Sequence, residues 1–114
     1  ILTSIKKLLG IEEAYEHFDT DIIMHINSAF SDLNQLGVGP AEGFRISDSY
    51  ALWKDFTKNE AKLESVKDYI YLKVRLIFDP PSSSYVLTAF DNRIKELEWR
   101  LNVAAESITT ESEV

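Results

Sequence analysis

Asp79-Pro80-Pro81 lies between two long amphipathic stretches, and this break constrains the fold more than any other feature of the chain. Proline offers no backbone N–H and disfavours helical geometry in the residue before it, so a helix that reaches Asp79 ends there. Upstream, Val66, Ile70, Val74 and Ile77 make one apolar stripe, and Tyr69, Leu72 and Leu76 make a second. Lys67, Lys73 and Arg75 leave only a narrow polar side, the pattern of a helix packed against more than one partner. Thr57-Lys58-Asn59-Glu60 reads as its capping box: Thr57 accepts from the N–H of Glu60, and the Glu60 carboxylate reaches back to the N–H of Thr57. Downstream, Ser82-Ser83-Ser84 offers an N-cap. Leu87, Phe90, Ile94, Leu97 and Leu101 then follow at spacings of three, four, three and four, which is a heptad seam. Asp91 with Lys95 and Glu96 with Arg100 are acid-to-base pairs that keep the outer side soluble.

Two further helices are expected before this pair. Thr3-Ser4-Ile5-Lys6-Lys7-Leu8-Leu9-Gly10 reads as a short one, with Thr3 as N-cap, Ile5, Leu8 and Leu9 on one side, and Gly10 as terminator. Two turns are marginal alone, so this piece must dock on the bundle or on a neighbour. The next starts at Asp19 or Thr20, carries Ile22, Ile23, Ile26, Phe30, Leu33 and Leu36 on one face, and stops at Gly37. Between it and Phe56 the pattern changes. Gly37, Gly39, Pro40 and Gly43 break any helix, and Phe44, Ile46, Tyr50 and Leu52 alternate with polar residues. A β-hairpin turning near Ser47-Asp48-Ser49 is predicted, with Trp53 and Phe56 as its anchors. The fold class is therefore all-α: a small bundle of three main helices plus a short N-terminal one, with a β-hairpin inserted between the second and third helices. Residues 1–105 form one domain, and the polar, acidic residues 106–114 are read as a flexible tail.

Composition narrows the function classes. With 114 residues the chain holds one modest core, and with no cysteine it has neither a thiolate nucleophile nor a disulfide framework. Twelve basic against 19 acidic residues give a net charge of -7, which disfavours general affinity for nucleic acid. No apolar run is long enough to span a bilayer, and residues 1–10 lack the apolar core of a signal peptide. No membrane association is expected.

The sequence holds no chemistry-bearing constellation. His17, Asp19, Asp21 and His25 include metal-ligand residue types, but the spacing matches neither H-E-x-x-H nor an EF-hand loop. The bland reading is an acidic first turn flanked by surface or half-buried histidines. No nucleophile elbow or phosphate-cradling glycine loop occurs, and Glu96 and Glu98 point to different sides of a helix, as solvated or intersubunit charges. No catalytic, cofactor-binding or metal residues are assigned, and the chain is read as not an enzyme. Trp99 sits one position off the seam, either a core flank or an interface anchor; Tyr15, Tyr71 and Tyr85 are similarly either core or lateral contacts.

The Asp79-Pro80-Pro81 break, followed by Ile94-Lys95-Glu96-Leu97-Glu98-Trp99-Arg100-Leu101-Asn102, carries a resemblance. So do Leu2-Thr3-Ser4-Ile5-Lys6-Lys7-Leu8-Leu9-Gly10-Ile11, Phe18-Asp19-Thr20-Asp21-Ile22-Ile23-Met24-His25-Ile26-Asn27 and Leu33-Asn34-Gln35-Leu36-Gly37-Val38-Gly39-Pro40. Together, from Leu2 to about Ala105, the sequence resembles the small head-tail connector, or adaptor, proteins of long-tailed bacteriophages. The resemblance implies a virion protein of the head-tail joint, assembled in the host cytoplasm as a dodecameric ring. Such a ring lies beneath the portal, extends the DNA channel without binding DNA specifically, and docks a stopper or other head-completion protein. It implies no cofactor. Carried onto this chain, it makes Glu106, Ile108, Glu111 and Val114 candidate portal contacts. Phe44, Ile46, Tyr50, Trp53 and Trp99 become candidate contacts to a neighbouring subunit or to the stopper. The alternative is a cytosolic helical interaction or regulatory module that dimerises through the Leu87 to Leu101 seam. A hydrolase built on His17 or His25 is a third class.

Overall fold

A computed structural model describes the backbone of residues 1–113 and the side chains of residues 1–105. Among the described residues five helices follow in order: α1 Leu2–Leu8, α2 Asp19–Gln35, α3 Trp53–Phe56, α4 Glu60–Phe78 and α5 Ser84–Glu113. The middle of the molecule is α4, which packs on α2 and on α5, while α1 lies across α2 and α4. The two-stripe pattern of α4 accounts for this. Val66, Ile70 and Val74 are buried together with Tyr69 and Leu72, so the helix is covered on adjoining sides. Ile77, expected in the first stripe, is exposed, while its neighbours Leu76 and Phe78 pack against the core. From α2 the core takes Ile22, Ile26, Phe30 and Leu33, and from α5 it takes Ile94, Leu97 and Leu101. Leu87 and Phe90, nearer the start of the seam, are half-buried.

Polar ties fix the helices to one another. Tyr69 Oη donates to Glu98 Oε2 at 2.9 Å, joining α4 to α5. Glu98 is therefore a structural acceptor rather than a free surface charge. Burial and this hydrogen bond, in that order, push the Tyr69 phenol well above its ordinary range. Lys73 lies over the Tyr69 ring at 5.7 Å and pairs with Asp32 at 3.0 Å, extending the link to α2. Asn102 Nδ2 donates to the carbonyl of Leu36, tying α5 to the end of α2.

Caps explain where the helices stop. After α1, the N–H of Gly10 bonds the carbonyl of Lys7 and that of Ile11 bonds Lys6, with Gly10 at φ 80°. After α2 the same pair recurs, Gly37 to Asn34 and Val38 to Leu33, with Gly37 at φ 81°. Both are Schellman closures, which place a left-handed residue where glycine has no Cβ to strain. The start of α4 departs from the predicted capping box. Asn59 is the cap, its Oδ1 accepting from the N–H of Ala61, and Thr57 Oγ1 accepts from the N–H of Asn59 instead. At the start of α2, Asp19 does not cap either, and its carboxylate turns to Lys6.

Lys6 is the one charged residue among the described buried set, at 2% exposure. Its ammonium donates to the carbonyls of Glu13 and Tyr15 at 2.9 and 2.7 Å and lies 2.8 Å from Asp19 Oδ1. Two full hydrogen bonds and a counter-ion offset the desolvation that a buried ammonium incurs. The contact with Asp19 is an ion pair off the hydrogen-bond line. The result is that α1, the 10–18 connection and the first turn of α2 are held at one point.

The expected β-hairpin is absent: among the described residues no strand occurs, and residues 37–52 form an irregular loop. Side chains take the backbone groups that a ladder would use. Asn27 on α2 donates from Nδ2 to the carbonyl of Ile46 and accepts the N–H of Ile46 at Oδ1, at 2.9 and 2.7 Å. The N–H of Tyr50 goes to Asp48 and that of Leu52 to Asp55. Asx side chains offering such local alternatives compete directly with strand pairing. Phe44 and Ile46 then point into the core, where Phe44, Phe56 and Phe30 form a ring cluster with centroids 4.9–5.4 Å apart. Gly39, at φ 93°, lies so close to Phe56 that a Cβ would overlap the ring. Trp53 and Phe56 do anchor this segment, but from the single turn of α3.

Three measurements check this account. Leu97→Ala should lower unfolding free energy by about 2–5 kcal/mol in urea titration, because its side chain is wholly buried in the α4–α5 seam. Asn27→Ala should cost about 1–3 kcal/mol by the same titration, with faster proteolysis of residues 40–50, since it strands both backbone groups of Ile46. Because the folded state holds the Tyr69 proton more tightly than the unfolded chain, stability from this phenol is complete below the ordinary value of 10.0 and declines as pH rises above it. Tyr69→Phe should remove that alkaline decline.

Candidate functional site

The helix faces left without an intramolecular partner define the surfaces available for assembly. On α5 the seam residues Ile94, Leu97 and Leu101 face α4. Tyr85, Asn92 and Trp99 are spaced by seven on the opposite side, with Val103 four residues beyond Trp99. Tyr85 is 83% exposed, Trp99 68% and Val103 38%. This resolves the two readings of Trp99: it is no core flank, and its indole lies on an outward apolar ridge. Ion pairs border the ridge, Lys95 with Asp91 on one side and Glu96 with Arg93 and Arg100 on the other. They satisfy those charges without covering the aromatic rings.

On α2 the outward face borders a groove of about 810 Å³. Its helix wall carries Thr20, Ile23, Met24, Ser28 and Ser31, and its other wall is the 42–47 loop, including Phe44 and Arg45. The Asn27 clamp creates this groove, because it holds the loop alongside the helix rather than away from it. A smaller apolar hollow of about 370 Å³ lies at the end of the bundle, where Leu9, Ile11, Tyr15, Phe18 and Phe78 meet. His17 stacks edge-on against Phe18 there, with ring centroids 4.8 Å apart.

The candidate contact residues named from sequence separate into two groups. Tyr50, at 84%, and Trp99 are open to solvent. Ile46 belongs to the packed interior, while Phe44 and Trp53 are half-buried against it, Phe44 keeping one side on the α2 groove and Trp53 donating from Nε1 to Ser4 Oγ at 3.2 Å. The structure does not bring Tyr50 and Trp99 together with these three into one surface. The candidates Glu106, Ile108, Glu111 and Val114 lie outside the described side chains. Tyr71 is half-buried and its hydroxyl accepts from Arg75, whereas Tyr15 is exposed on the rim of the smaller hollow. The groove on α2 escaped sequence reasoning, although the polar interruption Asn27-Ser28 and the exposed Met24 were its signal.

The histidines and acids of the 17–25 stretch do not converge: Asp19 is engaged by Lys6, and among the described residues no group of three or more histidine or acidic side chains is placed to hold a metal ion. Nor, among the described residues, is any helix long and apolar enough to cross a membrane. The Leu87 to Leu101 seam, which a seam-mediated dimer would need, is occupied within the chain by α4.

No curated protein and no solved structure matches the chain significantly. The sequence model described as phage connector protein does match it, over residues 1–107, which takes in all five helices up to the last turns of α5. That span covers nearly the whole chain and identifies it as a member of the phage connector protein family.

Proposed function

We propose that the protein is a non-catalytic head-tail adaptor of the virion neck, forming a ring, dodecameric in the family pattern, beneath the portal. The observation that carries this reading is the family match over residues 1–107. In the assembled neck the ring extends the DNA channel, and the net charge of -7 suits a conduit that does not retain phosphate as DNA passes. Residues 106–114, with Glu106, Ile108, Glu111 and Val114, face the portal. Tyr50 and Leu52, exposed on the 47–52 loop, are offered to the stopper or another head-completion protein.

Two open faces on one chain support the ring. A heterologous contact uses a different patch on each side of a subunit and closes into a ring when the rotation allows. A single self-complementary patch would instead stop at a dimer.

Mixing the purified protein with portal and imaging by negative stain, with native mass measurement alongside, tests the proposal. Rings stacked on the portal are expected, and a dimer indifferent to portal would overturn it. Removal of residues 106–114 should leave the helical fold and its unfolding midpoint nearly unchanged while weakening portal docking; unaltered docking would refute the assignment of that segment.

A further inference from the structure

The geometry points to a specific lateral contact: the outward ridge of α5, centred on Tyr85, Asn92 and Trp99, seats in the α2 groove of a second copy of this chain, against Met24 and Phe44. The inference rests on the ring reading above and adds which faces meet.

The occupant is argued from the match between the two faces. The ridge is convex, with two large rings about 21 Å apart along the helix. The groove is concave and runs beside α2, a helix of 17 residues and therefore about 25 Å long. Each is open in the single chain. Both lie on the sides of their helices turned away from α4, so one molecule presents its ridge and its groove in different directions. It cannot fill its own groove, whereas a neighbour can.

Area supports the same occupant. Aromatic side chains bury roughly 150–250 Å² each, so Tyr85 and Trp99 at their observed exposure, with Val103, offer on the order of 350 Å². A standard interface buries about 800 Å² per partner, a little over half of it apolar. The ridge alone thus supplies most of the apolar centre that a stable contact needs. Its margins carry Arg93, Glu96 and Arg100, and the groove margin carries Glu42 and Arg45. Both signs are present on both sides, which allows rim pairing without stranding a charge in the centre.

The absence of cysteine from the sequence makes the contact directly testable. Asn92→Cys places one thiol in the centre of the ridge, and Ser28→Cys places one in the groove wall. The two single variants are mixed at high concentration with a short bis-maleimide and resolved by denaturing electrophoresis. A Glu64→Cys variant, on an exposed part of α4, serves as the collisional control. Cross-linked dimer is expected from the Asn92→Cys and Ser28→Cys mixture at several times the control level, and the double variant should give a ladder of multimers. Adding Trp99→Glu to the Asn92→Cys partner should return the yield to control. Two results would overturn the inference: a mixture no better than control, or efficient dimer from Asn92→Cys alone, which would mean that ridge meets ridge. The ring reading is judged separately, by images of the cysteine-free protein with portal. Rings without the ridge-to-groove cross-link would sink the face assignment alone, whereas absence of rings would sink the reading beneath it.

Discussion

The double-sided burial of α4 is the constraint on which the remaining architecture depends. A helix with a single apolar stripe needs one partner, and a pair of helices would satisfy it. Here Val66, Ile70 and Val74 adjoin Tyr69 and Leu72, so α4 must be covered by both α2 and α5. That central position leaves α5, and α2 beyond its contacts with α1 and the 42–47 loop, each with an outer face that α4 does not cover. Their outer faces are therefore a direct product of the helix between them, and any function that the body performs through contacts must use those faces or the loops beside them.

Much of this arrangement was legible from periodicity. The α2 start at Asp19, the α4 end before Asp79 and the Ile94, Leu97, Leu101 core all follow from residue spacing and punctuation. The 37–52 segment was not legible, because alternation of apolar and polar residues states only which side chains go inward. It does not state what satisfies the backbone. Phe44 and Ile46 do go inward, as a strand would send them, but Asn27, Asp48 and Asp55 take the N–H groups that strand pairing needs. Asn27 is 19 residues from Ile46, a separation that no local pattern reports.

The contact surfaces show the same division. Tyr85 and Trp99 can be placed opposite the seam by counting along one helix, so the ridge is implicit in the sequence once the seam is known. The groove is not, since it exists only where a loop from elsewhere in the chain comes to lie beside α2. Phe44 in the loop and Trp53 at the start of α3, both carried over from the resemblance as candidate contacts, pack against Phe30 and help hold that loop in place. Size and aromaticity mark strong anchors in cores and interfaces alike, and only the observed burial separates the two roles.

Lys6 has a consequence for how the N-terminal region can come apart. The same ammonium contacts the carbonyls of Glu13 and Tyr15 and the carboxylate of Asp19, so α1 cannot peel away by stages that each sacrifice a single weak interaction. Lifting the helix uncovers Leu2 and Ile5 and strips the charge of its ligands in one event. Native-state hydrogen exchange would register such an opening as a cooperative unit spanning the first two helices, with shared protection rather than a gradient of fraying.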